Sequence, residues 1–443
     1  MQMVTKLYSK NTLLWIALLL MASQFSFCSP VPKREVIQSQ FLSVSDYETM
    51  NVQKFGVFAK VKDSETDLEK YYRWVKLKTA FDYCIANKKD LFFPKGIYDV
   101  GERNFPFREE SLTTNILKDC RGITIYGEGR GTVLMTSSKR GADVLQLNML
   151  KNLTIKNFDI TAELYSKRES GSNGVSVTNG YNNIVLDNLY IYDLPGIDSA
   201  GYIDGGKGLT MQFSANKKTI KGYLKASNIT VKNSAYGFRF DAANVSDLLK
   251  EKINIIIENL DVDKAYQGFS MSFGEASERV NADAALQMKV SASLNNCQQY
   301  IRFSRVIGGV YNFKVRKDEN QTKIFKDKNS ITWKNDDTKS FGFLSNYSKG
   351  TNVTITGDVG QVDNKIWIGA VGSIVEPFNL KNRTENNVFN FDIAGTALNE
   401  DIKIINYKGE SVHNSRINIS KKTLQKSKIP VEFRSNNNTV NVK

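Results

Sequence analysis

The residues of this chain that could do chemistry together fall between Tyr192 and Arg302. The connection from Tyr192 to Lys207 carries Asp193, Asp198, Tyr202, Asp204 and Lys207, and it runs straight into an apolar-alternating segment that begins at Gly208. Farther on come Arg239 and Asp241, two residues apart, and then Arg302. The first set could line one wall of a groove and the second its floor. Two reactions fit such a groove. β-Elimination of a uronate polymer needs a cation to neutralise the substrate carboxylate and a base to take the C5 proton. Arg239, Arg302 and Lys207 are the candidates for neutralisation or base, Tyr202 is a second base, and Ca²⁺ is a cation that could share the neutralising role. Gln212, Ser270 and Ser272, with Asp198, Asp204 and Asp241, are the candidate substrate contacts. Glycoside hydrolysis instead needs two carboxyl groups about 5 to 9.5 Å apart. Its candidates are Asp198, Asp204 and Asp241, with Glu275 and Glu278 as loop carboxylates.

Each of these has a plainer reading. Asp and Gly at this density also build ordinary turns. Arg239 and Asp241 read by default as a surface ion pair of little weight, and Glu275 and Glu278 as solvated turn residues. Other chemistries have no support. The one histidine is His413, far along the chain, and there is no Cys/His metal spacing, no phosphate-binding glycine loop and no G-x-S-x-G turn.

The elements that must position these residues are repeats. One phrase places Asn before an alternating apolar segment at Asn157, Asn188, Asn228, Asn259, Asn312, Asn352 and Asn390. Asn suits a turn in the left-handed region, and stacked asparagines could hydrogen-bond from repeat to repeat. A second phrase begins at Gly174, Gly208, Gly237, Gly268 and, with Tyr in place of Gly, Tyr300, in steps of 34, 29, 31 and 32 residues. Its apolar members should face a core. The residues between them then form an outward ladder: Ser176 and Thr178, Thr210 and Gln212, Arg239 and Asp241, Ser270 and Ser272, Arg302 and Ser304. Small serines between Arg239 and Arg302 would leave room for a sugar ring.

Upstream, Phe55-Gly56, a turn at Thr66-Asp67, a helix-like segment from Leu77 to Ala86 and Phe93-Pro94-Lys95-Gly96-Ile97-Tyr98 succeed one another, followed by Gly122 to Gly129 and Thr132-Val133-Leu134. Over residues 52 to 135 this resembles the opening of the pectate lyase superfamily. The resemblance implies a parallel β-helix with a helical N-terminal cap. The charged, aromatic stretch Leu68 to Trp74 departs from it, as an insertion in the polar turn ahead of the helix. The superfamily's catalytic signatures have no counterpart in this chain, so specificity for pectin is not implied.

Lys6 and Lys10 followed by the apolar run Leu13 to Ala22 have the layout of a secretory signal peptide, too short to span a membrane. Cleavage near residue 28 is expected, with Cys28 as an alternative lipid attachment point in a poor sequence context. Export leaves the mature chain periplasmic, at the cell surface or secreted. The formal net charge of +14 falls to +12 without the two leader lysines. That balance suits an acidic polysaccharide, and a lysine-rich solvated surface equally; no nucleic-acid motif is present. Cys84, Cys120 and Cys297 read as buried thiols, with a Cys84–Cys120 bridge as the alternative. The expected architecture is all-β: a leader (1–28), a cap and opening segment (29–110), and a right-handed parallel β-helix solenoid (111–443) with a polar loop from Lys314 to Asp337. The expected function is cleavage of an acidic polysaccharide by β-elimination. Hydrolysis by a carboxylate pair, or glycan binding without catalysis, are the alternatives.

Overall fold

The computed structural model describes residues 49–60, 65–103, 117–138, 141–163, 171–194, 196, 205–213, 223–242, 254–273, 286–318, 340–369, 384–405, 412–425 and 437–443. The described residues all fall within one compact unit, Tyr47–Lys443. The expected leader and Cys28 lie outside the described residues. Among the described residues no helix is long and apolar enough to cross a membrane.

The body is strand laid on strand in parallel. Asp143–Ala162 pairs with Asn173–Leu194, which pairs with Tyr223–Ala242, which pairs with Asn254–Phe273. Each partner lies one repeat on in sequence, so the chain advances by one coil per repeat. Beyond Phe273 the strands Gln287–Asn295, Val310–Arg316, Asn352–Gly369, Val388–Ile405, Arg416–Ile419 and Thr439–Val442 continue the stack. Each repeat contributes alternating apolar residues, among them Ile160, Ile191, Val231 and Val262, to one continuous buried core.

The Asn phrase sets the corners of the early coils. Asn157, Asn188, Asn228 and Asn259 all have φ between 50° and 63°, where a short polar side chain is tolerated best. Asn188 donates to Asn157 at 2.9 Å and Asn259 to Asn228 at 3.2 Å. The ladder breaks between those pairs, because Asn228 donates to Asp187 instead. A parallel asparagine stack runs Asn183 to Asn152 to Asp119. The left-handed turn fails for Asn312, Asn352 and Asn390, which lie within extended strands, although the coil-to-coil bonding returns at Asn390, which accepts from Asn418 at 2.7 Å, as Asn418 accepts from Asn441 at 2.8 Å. The physical reason is a deleted residue. Ile257 pairs with Val290, but Leu260 pairs with Ala292, so Glu258 and Asn259 face a single residue and the later coils have no corner there.

The cap differs from its sequence reading in one respect. The helix spans Asp67–Asn87, so Leu68 to Trp74 form its first two turns and are not a lengthened turn. Thr66 Oγ1 accepts from the Glu69 amide at 3.2 Å while Glu69 accepts from the Thr66 amide at 2.7 Å. This reciprocal pair starts the helix at Thr66, well ahead of Leu77. Leu77, Ala80, Phe81 and Cys84 are buried beside Phe93 and Tyr98 in the same core. Cys84, Cys120 and Cys297 are free and buried, so the Cys84–Cys120 bridge is not formed. Burial pushes all three thiols up to about 12. The strand Val310–Arg316 includes Lys314, so the polar segment expected from there opens in strand; residues 319–339 lie outside the described residues.

Candidate functional site

The second phrase builds the sheet that carries the candidate site. Its ladder residues are in register coil by coil: Gln146, Ser176, Thr210, Arg239, Ser270 and Arg302 form one row. Asn148, Thr178, Gln212, Asp241, Ser272 and Ser304 form the next. Neighbouring rungs are about 4.8 Å apart.

A third row, three residues upstream of the first, comprises Asp143, Asn173, Lys207, Tyr236, Gln267 and Gln299. Only Lys207 of this row stood out in the sequence. The others could have been found by extending the repeated phrase one residue before its glycine. There Asp, Asn, Lys, Tyr, Gln and Gln succeed one another, all polar or amphipathic.

The ladder is not uniformly open to solvent. Ser176, Thr210 and Ser270 are 1%, 0% and 4% exposed, whereas Gln212 is exposed and Ser272 partly so. The room for a sugar ring expected over Ser270 is therefore absent, because a short side chain between two arginines is covered. Arg239 turns onto its own strand. Its Nε lies 2.6 Å from Asp241 Oδ2 and its guanidinium carbon sits 4.7 Å from the Tyr236 ring centre. Burial draws the Arg239 guanidinium down, but Asp241 and Tyr236 together hold it above its ordinary value. Arg239 is thus a fixed cation and not a proton acceptor. Burial raises the Tyr236 phenol above its ordinary value, while Arg239 and Arg302 pull it back. These two guanidinium groups and the phenol form one cluster. Gln267 donates to Gln299 at 2.6 Å and Gln299 to the Tyr266 hydroxyl at 3.2 Å, which fixes the polar floor beside it.

A second cluster lies at the other end of the row. Asp143 accepts from Asn173 Nδ2 at 2.6 Å and from Gln146 Nε2 at 3.2 Å. Burial lifts its carboxyl above the usual carboxylate range, opposed by Asn173, Ser176, Lys207 and Gln146. The Lys207 amide donates to Asn173 Oδ1 at 3.1 Å, which places Lys207 on the rung between Asn173 and Tyr236. Among the described residues, Thr178 Oγ1 and Thr210 Oγ1 are buried with no hydrogen-bond partner, on the strands of Asn173 and Lys207. Buried hydroxyls are ordinarily paired, so these two are exceptions within the sheet.

Asp198, Tyr202, Asp204, Glu275 and Glu278 lie outside the described residues. Asp143 and Asp241 are three coils apart, about 14 Å at the ordinary strand spacing, beyond the about 5 to 9.5 Å a hydrolytic pair needs. Among the described residues no group of three or more His, Cys, Asp or Glu is placed to hold a metal ion.

No family model matches the chain, and no curated protein matches it in sequence. Among solved structures, the chain is similar to the A-module of mannuronan C-5 epimerase AlgE4 of Azotobacter vinelandii, with 11% identity and a TM-score of 0.37 over 90% of this chain and 97% of that one. It is also similar to the Agl-KA catalytic domain, with 11% identity and a TM-score of 0.33 over 89% of this chain and 68% of that one.

Proposed function

We propose that this chain is an exported right-handed parallel β-helix that binds an acidic polysaccharide along the rows from Asp143 to Arg302 and cleaves it by β-elimination. The observation that carries this reading is the cluster of Tyr236, Arg239 and Arg302, with Lys207 on the adjoining rung. Guanidinium groups are donors suited to a carboxylate, and neutralising a uronate carboxylate acidifies the neighbouring C5 proton. Tyr236 or Lys207 would accept that proton, Arg239 and Arg302 would hold the carboxylate, and the exposed Gln212 would meet sugar hydroxyls. Elimination breaks the C4–O bond, the departing oxygen takes a proton from water or back from the base, and a C4–C5 double bond is left in the uronate at the new end.

Incubation with a panel of uronate polymers tests this reading. A rise in the unsaturated-uronate absorbance band supports it. New reducing ends without that rise would replace it with hydrolysis. Salt-sensitive binding with neither product would make the chain a glycan-binding solenoid. That second reading draws on two observations: Asp241 already offsets the charge of Arg239, and the Tyr236 phenol is raised and not lowered.

A further inference from the structure

Gly174, Gly208, Gly237, Gly268 and Gly342 hold a tight position in their coils, where an added Cβ would meet core side chains or a neighbouring backbone. In two successive late coils the same register position carries Lys365 and Asp401, between the paired positions Asn364–Glu400 and Ile366–Ile402. Both side chains are 0% exposed, and Lys365 Nζ lies 2.9 Å from Asp401 Oδ1. Nζ also donates to the Thr423 carbonyl oxygen at 3.0 Å. Thr423 is itself buried, and its Oγ1 accepts from the Ile393 amide at 2.9 Å. Two charges held this far from water are expensive, and their attraction offsets that only in part.

We propose that Lys365 and Asp401 form a modification site, at which the ion pair condenses to an isopeptide bond that ties two consecutive coils together. Nζ attacks Cγ of Asp401, and the new N–C bond replaces one carbon–oxygen bond. The departing oxygen leaves as water with the two protons that the ammonium gives up, so the ion pair itself supplies every atom of product and by-product. The remaining Nζ–H keeps its bond to the Thr423 carbonyl. Condensation removes both buried charges, and contact distance makes the step intramolecular, without the entropy loss of bringing two groups together. Coil stacks are held only by their neighbours. None of the described cysteines forms a disulfide, so this bond would be the covalent tie near the C-terminal end.

The test is peptide mass spectrometry on trypsin digests of the purified full chain. Expected is a branched product joining the peptides of Lys365 and Asp401, one water lighter than their combined mass, with no cleavage after Lys365. Asp401→Asn should give the same branched product by loss of ammonia, and Asp401→Ala should give none. Linear peptides of unmodified mass from folded wild-type protein would overturn the proposal, and so would a branched product that persists in Asp401→Ala. Should Asp401→Ala not fold, the wild-type digest decides by itself. The readout involves no carbohydrate, so it stands or falls apart from the polysaccharide reading.

Discussion

The coils from Asp143 to Phe273 and those from Gln287 to Val442 share one parallel register, yet they treat its side-chain positions in opposite ways. In the early coils the tight inner position is glycine from Gly174 to Gly268, the corner is a left-handed asparagine and the outward row is polar from Gln146 to Ser270. In the later coils the corner is gone after Val290 and the inner position takes Tyr300, Lys365 and Asp401, with glycine kept at Gly342. The outward row there keeps Arg302 and then turns to Leu344, Trp367 and Lys403, with the Lys403 ammonium 5.4 Å from the Trp367 ring centre. Backbone pairing alone builds the tower. The polar face is a property of the coils before Phe341, and the later coils invest their polar groups in the interior.

The largest effect should come from breaking the interior device. Lys365→Ala leaves Asp401 buried without its cation and should destabilise the chain by about 3 to 5 kcal/mol. Urea unfolding measures this, and a loss below about 1 kcal/mol would mean that the late interior does not depend on the pair. Next is the polar face of the early coils. Arg239→Gln should lower kcat/KM on a uronate polymer by about 100-fold, comparable to losing one preorganised transition-state donor, with unfolding little changed. Equal losses for Arg239→Gln and for a change at Lys403, outside the candidate site, would dissolve the distinction between the two regions.

The corner supplies a smaller test. Asn259→Ala leaves an apolar side chain at φ 54°, where the asparagine side chain is tolerated best, and removes the bond to Asn228, a loss of about 2 kcal/mol. Asn390→Ala, in extended backbone with a bond to Thr354 Oγ1 at 3.1 Å and one from Asn418 at 2.7 Å, should lose about 1 kcal/mol. Asn259→Gly should recover most of its deficit, because glycine accepts positive φ. If the two alanine variants unfold alike, the corner is not what distinguishes the early coils.

The smallest effect depends on pH. Asp143 holds its proton more tightly folded than unfolded. Its contribution is therefore fully present in acid, below the ordinary carboxylate range, and is lost as pH rises through its raised folded value. Asp143→Asn should match the wild type in acid and be slightly more stable at neutral pH, as thermal melts at both pH values would report. A variant less stable at neutral pH than in acid, relative to wild type, would reverse the sign. If Tyr236 is the base, activity should climb on the alkaline side, because burial raises its phenol and the deprotonated form becomes available only there.

Much of the fold was legible in the sequence. Thr66 and Glu69 contain the helix start, although the resemblance placed it later, because a capping box is written in four adjacent residues. The Gly174, Gly208, Gly237 and Gly268 phrase marked the site-bearing sheet and its facing rows. It did not disclose the row of Asp143, Asn173 and Tyr236, which begins before the glycine. It also could not tell that Ser270 would be covered and Gln212 exposed, since exposure depends on groups that other coils bring over each rung.

The sequence by itself determined the alternation of inward and outward residues and the left-handed corners, because both depend on side chains within a few positions of one another. Only the tertiary structure decided which residues of different coils meet: Asp143 with Asn173, the Tyr236 ring under Arg239 with Arg302 near, Lys365 with Asp401. Those meetings depend on register, and register is set by the lengths of the connections and by single-residue bulges such as the one at Asn259. One residue gained or lost there reassigns every partner beyond it.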